Sequence, residues 1–146
     1  MQSIREYLQT AHIAQLATSH NNTPWICTVY IVSDDEQNIY WLSYPERRHS
    51  KEIELNRHVS MAIAIKVDQP VIGLQIEGVA SIVRDVSVVE KVMEQYVATH
   101  KGVGKGFYAK FVTGDNRHQL YKLTHSKTSL FDEVHFPGGT TIEWKQ

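Results

Sequence analysis

Four cations crowd the start of one predicted helix, within the stretch SYPERRHSKEIELN that runs from Ser43 to Asn56. They are Arg47, Arg48, His49 and Lys51. A helix begins at the positive end of its macrodipole, so cations there are unfavourable unless they share an anion with the free N–H groups. Arginine binds phosphate oxygens through paired hydrogen bonds, and the Ser43 hydroxyl adds a further donor. The stretch therefore predicts an anion site, with phosphate as the best candidate.

A solvated basic turn is the alternative interpretation of the same residues. In that case the cations pair with the nearby Glu46, Glu52 and Glu54. The net charge of the whole chain is -1 and its pI is about 6.7, so bulk charge attracts neither nucleic acid nor an anionic membrane. We therefore expect neither as a partner, and any anion site must be local.

Other chemistries find little support in the motifs. The sequence contains no H-E-x-x-H and no C-x-x-C, so no metal site is predicted, and no G-x-S-x-G for a nucleophilic serine. A glycine-rich basic segment, 102–110, resembles a phosphate loop only superficially. It follows a predicted helix and lacks the Ser or Thr after lysine that a Walker A motif requires. We interpret it as a flexible loop whose lysines could face an anionic ligand.

Length and cysteine usage set the broad class of the protein. The chain has 146 residues, which is one domain by size, with 42% hydrophobic and 21% charged residues, as in ordinary globular proteins. Cys27 is the only cysteine, which excludes an intramolecular disulfide and fits a reducing compartment. Since the N-terminus lacks the apolar region of a signal peptide and no apolar run is long enough for a membrane span, we expect a cytoplasmic protein.

Hydrophobic periodicity predicts mostly strands. They are expected over 12–19, 24–32, 38–43, 58–67, 71–85, 119–124 and 127–132, and the tail FPGGTTIEWKQ could add a final one. The first three are predicted to form a meander. Helices are expected over 4–8, after the basic stretch, and from a capping box at Ser87–Glu90 to a point before Gly102. Gly73 and Gly78 suggest a bend or bulge in the long strand. The pattern favours a small β-barrel with helices at its ends.

Taken in order, these segments resemble the pyridoxamine 5'-phosphate oxidase-like, FMN-binding split-barrel superfamily. The likeness rests on AQLATS, TPWICTVYIVSDDEQNIYWLS, RRHSKEIELNRHVSMAI and LQIEGVASIV, with weaker support from YKLTHSKTSLFD. It covers roughly residues 4–84. The resemblance implies a mainly β fold, a six-stranded antiparallel split β-barrel of Greek-key type with flanking α-helices. It also implies that residues 1–146 form one FMN-binding domain that works as a homodimer.

The resemblance also implies which residues hold the flavin. The phosphate-binding pair of the family falls on Arg48 and His49, and its strand-end hydroxyl falls on Ser43, which leaves Arg47 and Lys51 as surface charges. The strand that lines the isoalloxazine ring with backbone N–H groups corresponds to Cys27, Thr28, Val29 and Tyr30. Gln75 is expected to reach the ring or ribityl chain from the neighbouring subunit. Phe131 falls where the family often has an aromatic residue near the flavin.

Three departures from the family pattern reduce the range of functions expected for this chain. Cys27 stands where the family oxidase has a phosphate-binding arginine, and His49 stands where it has lysine. These changes predict weaker phosphate binding, or binding that depends on pH through His49. The R-x-H element that holds the vitamin B6 substrate is missing from FPGGTTIEWKQ, which argues against pyridoxamine phosphate oxidation.

The expected function is therefore that of an FMN-dependent oxidoreductase or flavin-carrying protein with an unidentified small-molecule substrate. Two alternatives stay open. The first is a haem-binding split barrel with His49, His118 or His135 as the iron ligand. The second is a non-catalytic barrel that binds no cofactor. Trp25, Tyr40, Trp41 and Tyr44 are assigned to the core or a dimer interface, because aromatic residues are common in strands for packing reasons alone, with stacking on the flavin as the alternative.

Overall fold

The computed structural model describes residues 3–103 and 105–145. The helices are α1 (Ile4–Thr10), α2 (Arg48–Leu55), α3 (Val86–Thr99) and α4 (Lys105–Thr113). The strands are β1 (Ile13–His20), β2 (Thr23–Tyr30), β3 (Val32–Ser33), β4 (Ile39–Ser43), β5 (His58–Lys66), β6 (Ile72–Ile82), β7 (Gln119–Asp132) and β8 (Thr141–Lys145).

The strands form one antiparallel sheet in the order β2-β1-β5-β6-β7-β4-β3, with β8 paired to β7. The sheet curls until β2 lies against β4, but these two strands share no strand pairing in the described part of the chain. The open seam between β2 and β4, which we call the split, makes the fold a split barrel. The mainly β prediction is confirmed. The strand count is eight rather than six, because short β3 and the tail strand β8 add to the sheet.

The core lies inside the curl of the sheet. Along β5 and β6 every second residue is buried, as in a sheet with one covered face. The interior is filled by Leu16, Val59, Met61, Leu74, Ile76 and Leu123, among others. Trp41 stacks on Tyr121 with their ring centroids 5.5 Å apart. Both aromatic rings are almost fully buried, so Trp41 is a core residue as predicted.

The predicted meander of the first three strands is only partly correct. β1 and β2 form a hairpin, and Val32 at the end of the predicted second strand pairs with Tyr40, but β4 pairs along its length with β7 rather than with β2. The reason is that Ile39, Tyr40 and Trp41 are all buried, so β4 must be covered on both faces. The barrel interior covers one face. The other packs on α3, where Tyr40 contacts a second apolar cluster that includes Val92 and Tyr96.

Two helix predictions also need correction. α3 begins at Val86, because Asp85 caps it by accepting hydrogen bonds from the backbone N–H groups of Ser87 and Val88, in place of the predicted capping box. The segment predicted as a flexible loop is largely helix α4, while Gly104 lies outside the described residues. Phe107 and Phe111 share one face of α4 at i, i+4 spacing, and Phe111 packs on the cluster beneath α3. This apolar contact stabilises a helix that glycine alone would disfavour.

The C-terminal part of the sheet is more continuous than predicted. Residues 119–124 and 127–132 belong to a single strand, β7, which pairs with the whole of β6 through residues 121–132. The register shifts between Glu77 and Gly78, where Ser126 of β7 has no partner on β6, so an irregularity is present at Gly78 as predicted, but its extra residue belongs to β7. A Cβ atom at Gly78 would come within 2.9 Å of the His125 Cα and would collide with the Thr124 carbonyl oxygen. Only glycine lets β7 approach this closely.

Across the described residues, the helices are too short and too polar for any of them to span a bilayer.

Candidate functional site

A cleft of about 480 Å³ occupies the split of the barrel. Seven of the nine predicted cofactor residues line it: Cys27, Thr28, Val29, Tyr30, Ser43, Arg48 and His49. They come from three elements, namely β2, the end of β4 and the first turn of α2. The sheet curls these elements together although they are far apart in sequence. We call this space the split cleft.

His49 lies at the centre of the split cleft and is buried. Its Nδ1 atom is 3.3 Å from the Cys27 thiol, and its Nε2 atom is 2.6 Å from the Ser43 hydroxyl. Burial, together with the positive charge of Arg47, lowers the pKa of His49 below its usual value. A neutral imidazole then donates from one ring nitrogen and accepts at the other. The residue that stands in place of the family's lysine is therefore uncharged at neutral pH.

Burial keeps both Cys27 and His49 uncharged. Cys27 is half-buried and packs against the main core, as expected for a small apolar residue. Burial raises the pKa of its thiol, which keeps the sulfur protonated. The Cys27–His49–Ser43 chain is thus a neutral hydrogen-bonded wall of the split cleft.

Arg48 is held from two sides. Its guanidinium lies 4.3 Å from the centre of the Trp25 ring, and its Nε atom donates to Glu52 at 2.9 Å. Glu52 also accepts a hydrogen bond from the Thr18 hydroxyl at 2.5 Å, and these two hydrogen bonds lower the pKa of its carboxyl group. Glu52 therefore fixes Arg48 at the mouth of the split cleft and offsets part of its positive charge.

Arg47 has a larger role than the surface charge predicted for it. It is exposed, yet it lines the split cleft and precedes the first residue of α2. No side chain caps this helix, so its first N–H groups have no hydrogen-bond acceptor from an N-cap side chain. Cations and free N–H groups at one helix start form the arrangement that binds an anion.

Strand β2 offers backbone donors to the same space. Among the described strands it pairs with β1 alone, so every second backbone N–H along its other edge points toward the split. Thr28 is an example. Its hydroxyl donates to Gln15 on the convex face of the sheet, so its backbone, and not its side chain, faces the cleft. A planar ring with acceptor atoms could lie along this edge.

Gln75 and Phe131 are not brought to the split cleft of their own chain. They lie on β6 and β7, and their positions in the alternation place both on the convex face of the sheet, which we call the outer face. On this face Gln75 lines a shallow depression together with Gln15 and Ile26. Their assignment to a flavin site stays a prediction that requires a second subunit.

Besides Arg47, five further residues line the split cleft without a place among the predicted FMN residues: Trp25, Leu42, Tyr44, Tyr96 and His118, of which His118 was suggested only as a haem ligand. Trp25 and Tyr44, assigned to the core or an interface, are 39% and 37% exposed. The alternation of β2 could have revealed Trp25, because it shares a face with Cys27 and Val29. The position of His118 in this cleft could not be predicted from its sequence neighbours, because it lies beside Tyr44 only after the chain returns before β7.

A second and larger cleft adjoins the first. It measures about 570 Å³, lies between the 44–47 turn and α4, and shares Tyr44, Arg47 and His118 with the split cleft. We call it the side cleft. None of the described residues group into a cluster of three or more His, Cys, Asp or Glu side chains that could hold a metal ion.

The curled antiparallel sheet with an open split that holds a cleft defines a split-barrel protein. The chain belongs to the pyridoxamine 5'-phosphate oxidase family, whose sequence model matches residues 1–130. Comparison with the sequences of curated proteins finds no significant match.

Solved structures share the fold at low sequence identity. A FAD-binding protein from Mesorhizobium loti is 13% identical with a TM-score of 0.68, and the match covers 86% of this chain and 87% of that one. General Stress Protein 26 from Bacillus anthracis is 15% identical with a TM-score of 0.67, and the match covers 97% and 95%. A heme-binding protein from Mycobacterium smegmatis is 14% identical with a TM-score of 0.74. That match covers 99% of this chain but 59% of the other.

Proposed function

We propose that the protein binds FMN in the split cleft and acts as a homodimeric, flavin-dependent oxidoreductase on a small-molecule substrate. The observation that carries this proposal is the convergence of seven predicted flavin residues on one cleft between an unpaired strand edge and a basic helix start. Membership of the family and the likeness to a FAD-binding split barrel support it.

The chemistry of the cleft fits a flavin phosphate. Arg48, Arg47 and the first N–H groups of α2 would hold the phosphate, with the Ser43 hydroxyl as a further donor. His49 would join them only after it gains a proton or turns its Nε2–H from Ser43 to the ligand. The free edge of β2 would donate to the ring, and Trp25 would cover the same mouth of the cleft. FMN, when bound, supplies the redox chemistry, and these residues bind and orient it.

The outer face supports the homodimer. Ile13, Ile26 and Tyr30 are 48%, 60% and 60% exposed there, which is unusual for neighbouring large apolar side chains in a monomer. Ala62 and Gln75 continue the same face, which also carries the charged side chains of Glu77 and Lys127. If two copies pair through this face, Gln75 of the partner subunit could approach the split cleft as the family resemblance implies. Sedimentation of an Ile26→Glu variant tests this, with a shift from dimer to monomer expected.

Titration of the purified protein with FMN tests the cofactor. We expect saturable quenching of flavin fluorescence and a loss of at least about tenfold in affinity for Arg48→Ala, since a charge-assisted contact is worth roughly 1.5–3 kcal/mol. Lys51→Gln is the matched control, because it removes an exposed cation of the same helix outside the cleft and should bind FMN as the wild type does. Absence of FMN binding in the wild type, or equal affinity in Arg48→Ala, would overturn the assignment.

Haem is the second candidate, and one observation favours it. A relative of the same fold binds heme, and of the three suggested iron ligands only His118 has a ring nitrogen, Nε2, that lines the cleft without a hydrogen-bond partner among the described residues. His49 uses both nitrogens, and His135 is bonded to Asp132. A Soret band on addition of haem that disappears in His118→Phe would support haem. Saturable FMN binding without a Soret band would exclude it.

A further inference from the structure

The side cleft contains a stack of aromatic rings that the proposed flavin site does not use. The centroids of the Tyr44 and His118 rings are 3.9 Å apart with an interplanar angle of 30°, and Phe107 approaches His118 at 5.3 Å. Tyr44 is 37% exposed and the other two are half-buried, so the stack is open to a ligand. Exposed aromatic faces of this kind bind planar rings by stacking.

The charges around the stack favour an anion. Glu46 is paired with Arg117, whereas the Asp115 carboxylate keeps its negative charge although it accepts a hydrogen bond from Thr113, so three cations and two carboxylates line the cleft. Arg47 and Lys110 also line the cleft and form no ion pair among the described residues. The Arg47 guanidinium lies 5.9 Å from the centre of the Tyr44 ring, so a cation and an aromatic face meet at one place.

The tautomer of His118 follows from its hydrogen bonds. The Asn116 side-chain oxygen accepts from the backbone N–H of His118, and this donor fixes which amide atom faces it. The same oxygen contacts His118 Nδ1, which must therefore carry the proton. Burial and the charge of Arg47 lower the pKa of His118, so its ring is neutral and Nε2 is an acceptor. The cleft thus offers a hydrogen-bond acceptor within its aromatic stack.

We propose that the side cleft binds a purine nucleotide. Its ring stacks on Phe107 and Tyr44, an N–H group of the ring donates to His118 Nε2, and the phosphate pairs with Lys110 and with Arg47, which a flavin phosphate in the split cleft would share. The proposal goes beyond FMN binding and does not depend on it. Because the two clefts share Tyr44, Arg47 and His118, the ring could be the adenylate half of FAD or could belong to a separate molecule.

Calorimetric titration with adenosine 5'-monophosphate, in the absence of any flavin, tests the site. We expect saturable binding, with adenosine and ribose 5-phosphate each at least about tenfold weaker, because each lacks either the charge or the ring. Phe107→Ala and Arg47→Gln should each weaken binding of the nucleotide at least about fivefold. His118→Phe keeps a ring for stacking and should lose only the contribution of the acceptor. Lys51→Gln, an exposed change outside the cleft, should bind like the wild type.

Failure of the wild type to bind the nucleotide, or unchanged binding in both Arg47→Gln and Phe107→Ala, would overturn the proposal. Arg47 is exposed, so its variant tests the site even where Phe107→Ala unfolds. Comparison of the binding affinities of FAD and FMN shows whether the ring in the side cleft belongs to FAD or to a separate molecule. Tighter binding of FAD that Phe107→Ala abolishes assigns the site to the adenylate of FAD, whereas nucleotide binding to FMN-saturated protein assigns it to a separate molecule. If FMN does not bind at all, the nucleotide titration still decides the matter.

Discussion

Strands β6 and β2 differ in how many of their two edges are hydrogen-bonded to other strands. β6 is hydrogen-bonded to β5 on one edge and to β7 on the other, and its inward side chains fill the core. Among the strands that the structure describes, β2 is bonded to β1 alone, and its other edge borders the split cleft. The centre of the sheet therefore carries stability, and its open end carries the candidate site. Variants at the two places should affect different measurements.

The largest effect is expected at Gly78 of β6, which lies opposite the bulge of β7. Gly78→Ala should lower the free energy of unfolding by about 1–3 kcal/mol, because the added methyl group meets the backbone of β7 rather than a flexible side chain. Urea denaturation measures the change. Gly73→Ala is the matched control on the same strand, since its Cβ would lie 3.3 Å from the Ile63 carbonyl oxygen and needs only a small adjustment. Equal losses in the two variants would contradict the close approach inferred at Gly78.

A smaller effect on stability should depend on pH through His125. This residue of β7 is 2% exposed, and its ring lies 4.6 Å from that of Trp144. Burial lowers the pKa of His125, although the backbone of Gln37 and the charge of Asp34 act in the opposite direction. The unfolded chain then binds more protons below about pH 6.5, so the free energy of unfolding should fall as pH falls from there toward the folded-state pKa.

The variant His125→Phe isolates this contribution while it keeps an aromatic ring against Trp144. The slope of unfolding free energy between about pH 6.5 and 5 should decrease by at most about 1.4 kcal/mol per pH unit, the value for one proton. His49, His100 and His118 also have pKa values lowered by burial, so part of the slope should remain. An unchanged slope would show that His125 gains its proton in the folded protein as easily as in the unfolded chain.

The smallest expected effect concerns affinity at the split. Glu52→Gln should tighten FMN binding about three- to tenfold, because it removes the negative charge that offsets Arg48 and keeps an acceptor for the Thr18 hydroxyl. Fluorescence titration measures the change. Glu54→Gln removes an exposed charge from the same helix and serves as the control. If both variants bind FMN alike, Arg48 does not contact the phosphate.

The sequence was most informative where structure is local. Alternation along β5, the short turns and the glycine at the irregular point of β6 follow from nearest neighbours, so a mainly β barrel, which the family resemblance refined to a split barrel, was predictable. The pairing of β4 with β7 was not, because it depends on which surface covers Tyr40 from the other side. Helix α4 was missed for a similar reason, since its glycines point to a loop and only the packing of Phe111 favours a helix.

The candidate site shows the same division. The cations of α2 are visible as a cluster in the sequence, and the family resemblance added β2 and Ser43. The charge states of residues in the site depend on contacts between residues that are far apart in the sequence. Cys27 lies 22 positions from His49, which it contacts, and Thr18 lies 34 positions from Glu52, to which it donates a hydrogen bond. The side cleft depends on His118 meeting Tyr44 after a long return of the chain. These two residues are too far apart in the sequence for a local pattern to include both.

The free edge of β2 also affects how readily the protein aggregates. Its sequence, TPWICTVY, contains no charged residue, is rich in β-branched and aromatic side chains, and has its proline only near the start. An unpaired strand of this composition is a template for edge-to-edge association with other chains. A ligand that lies along the split would shield these N–H and C=O groups. Occupancy of the cleft would then act as protection against precipitation, and the protein should be most prone to aggregate when the cleft is empty.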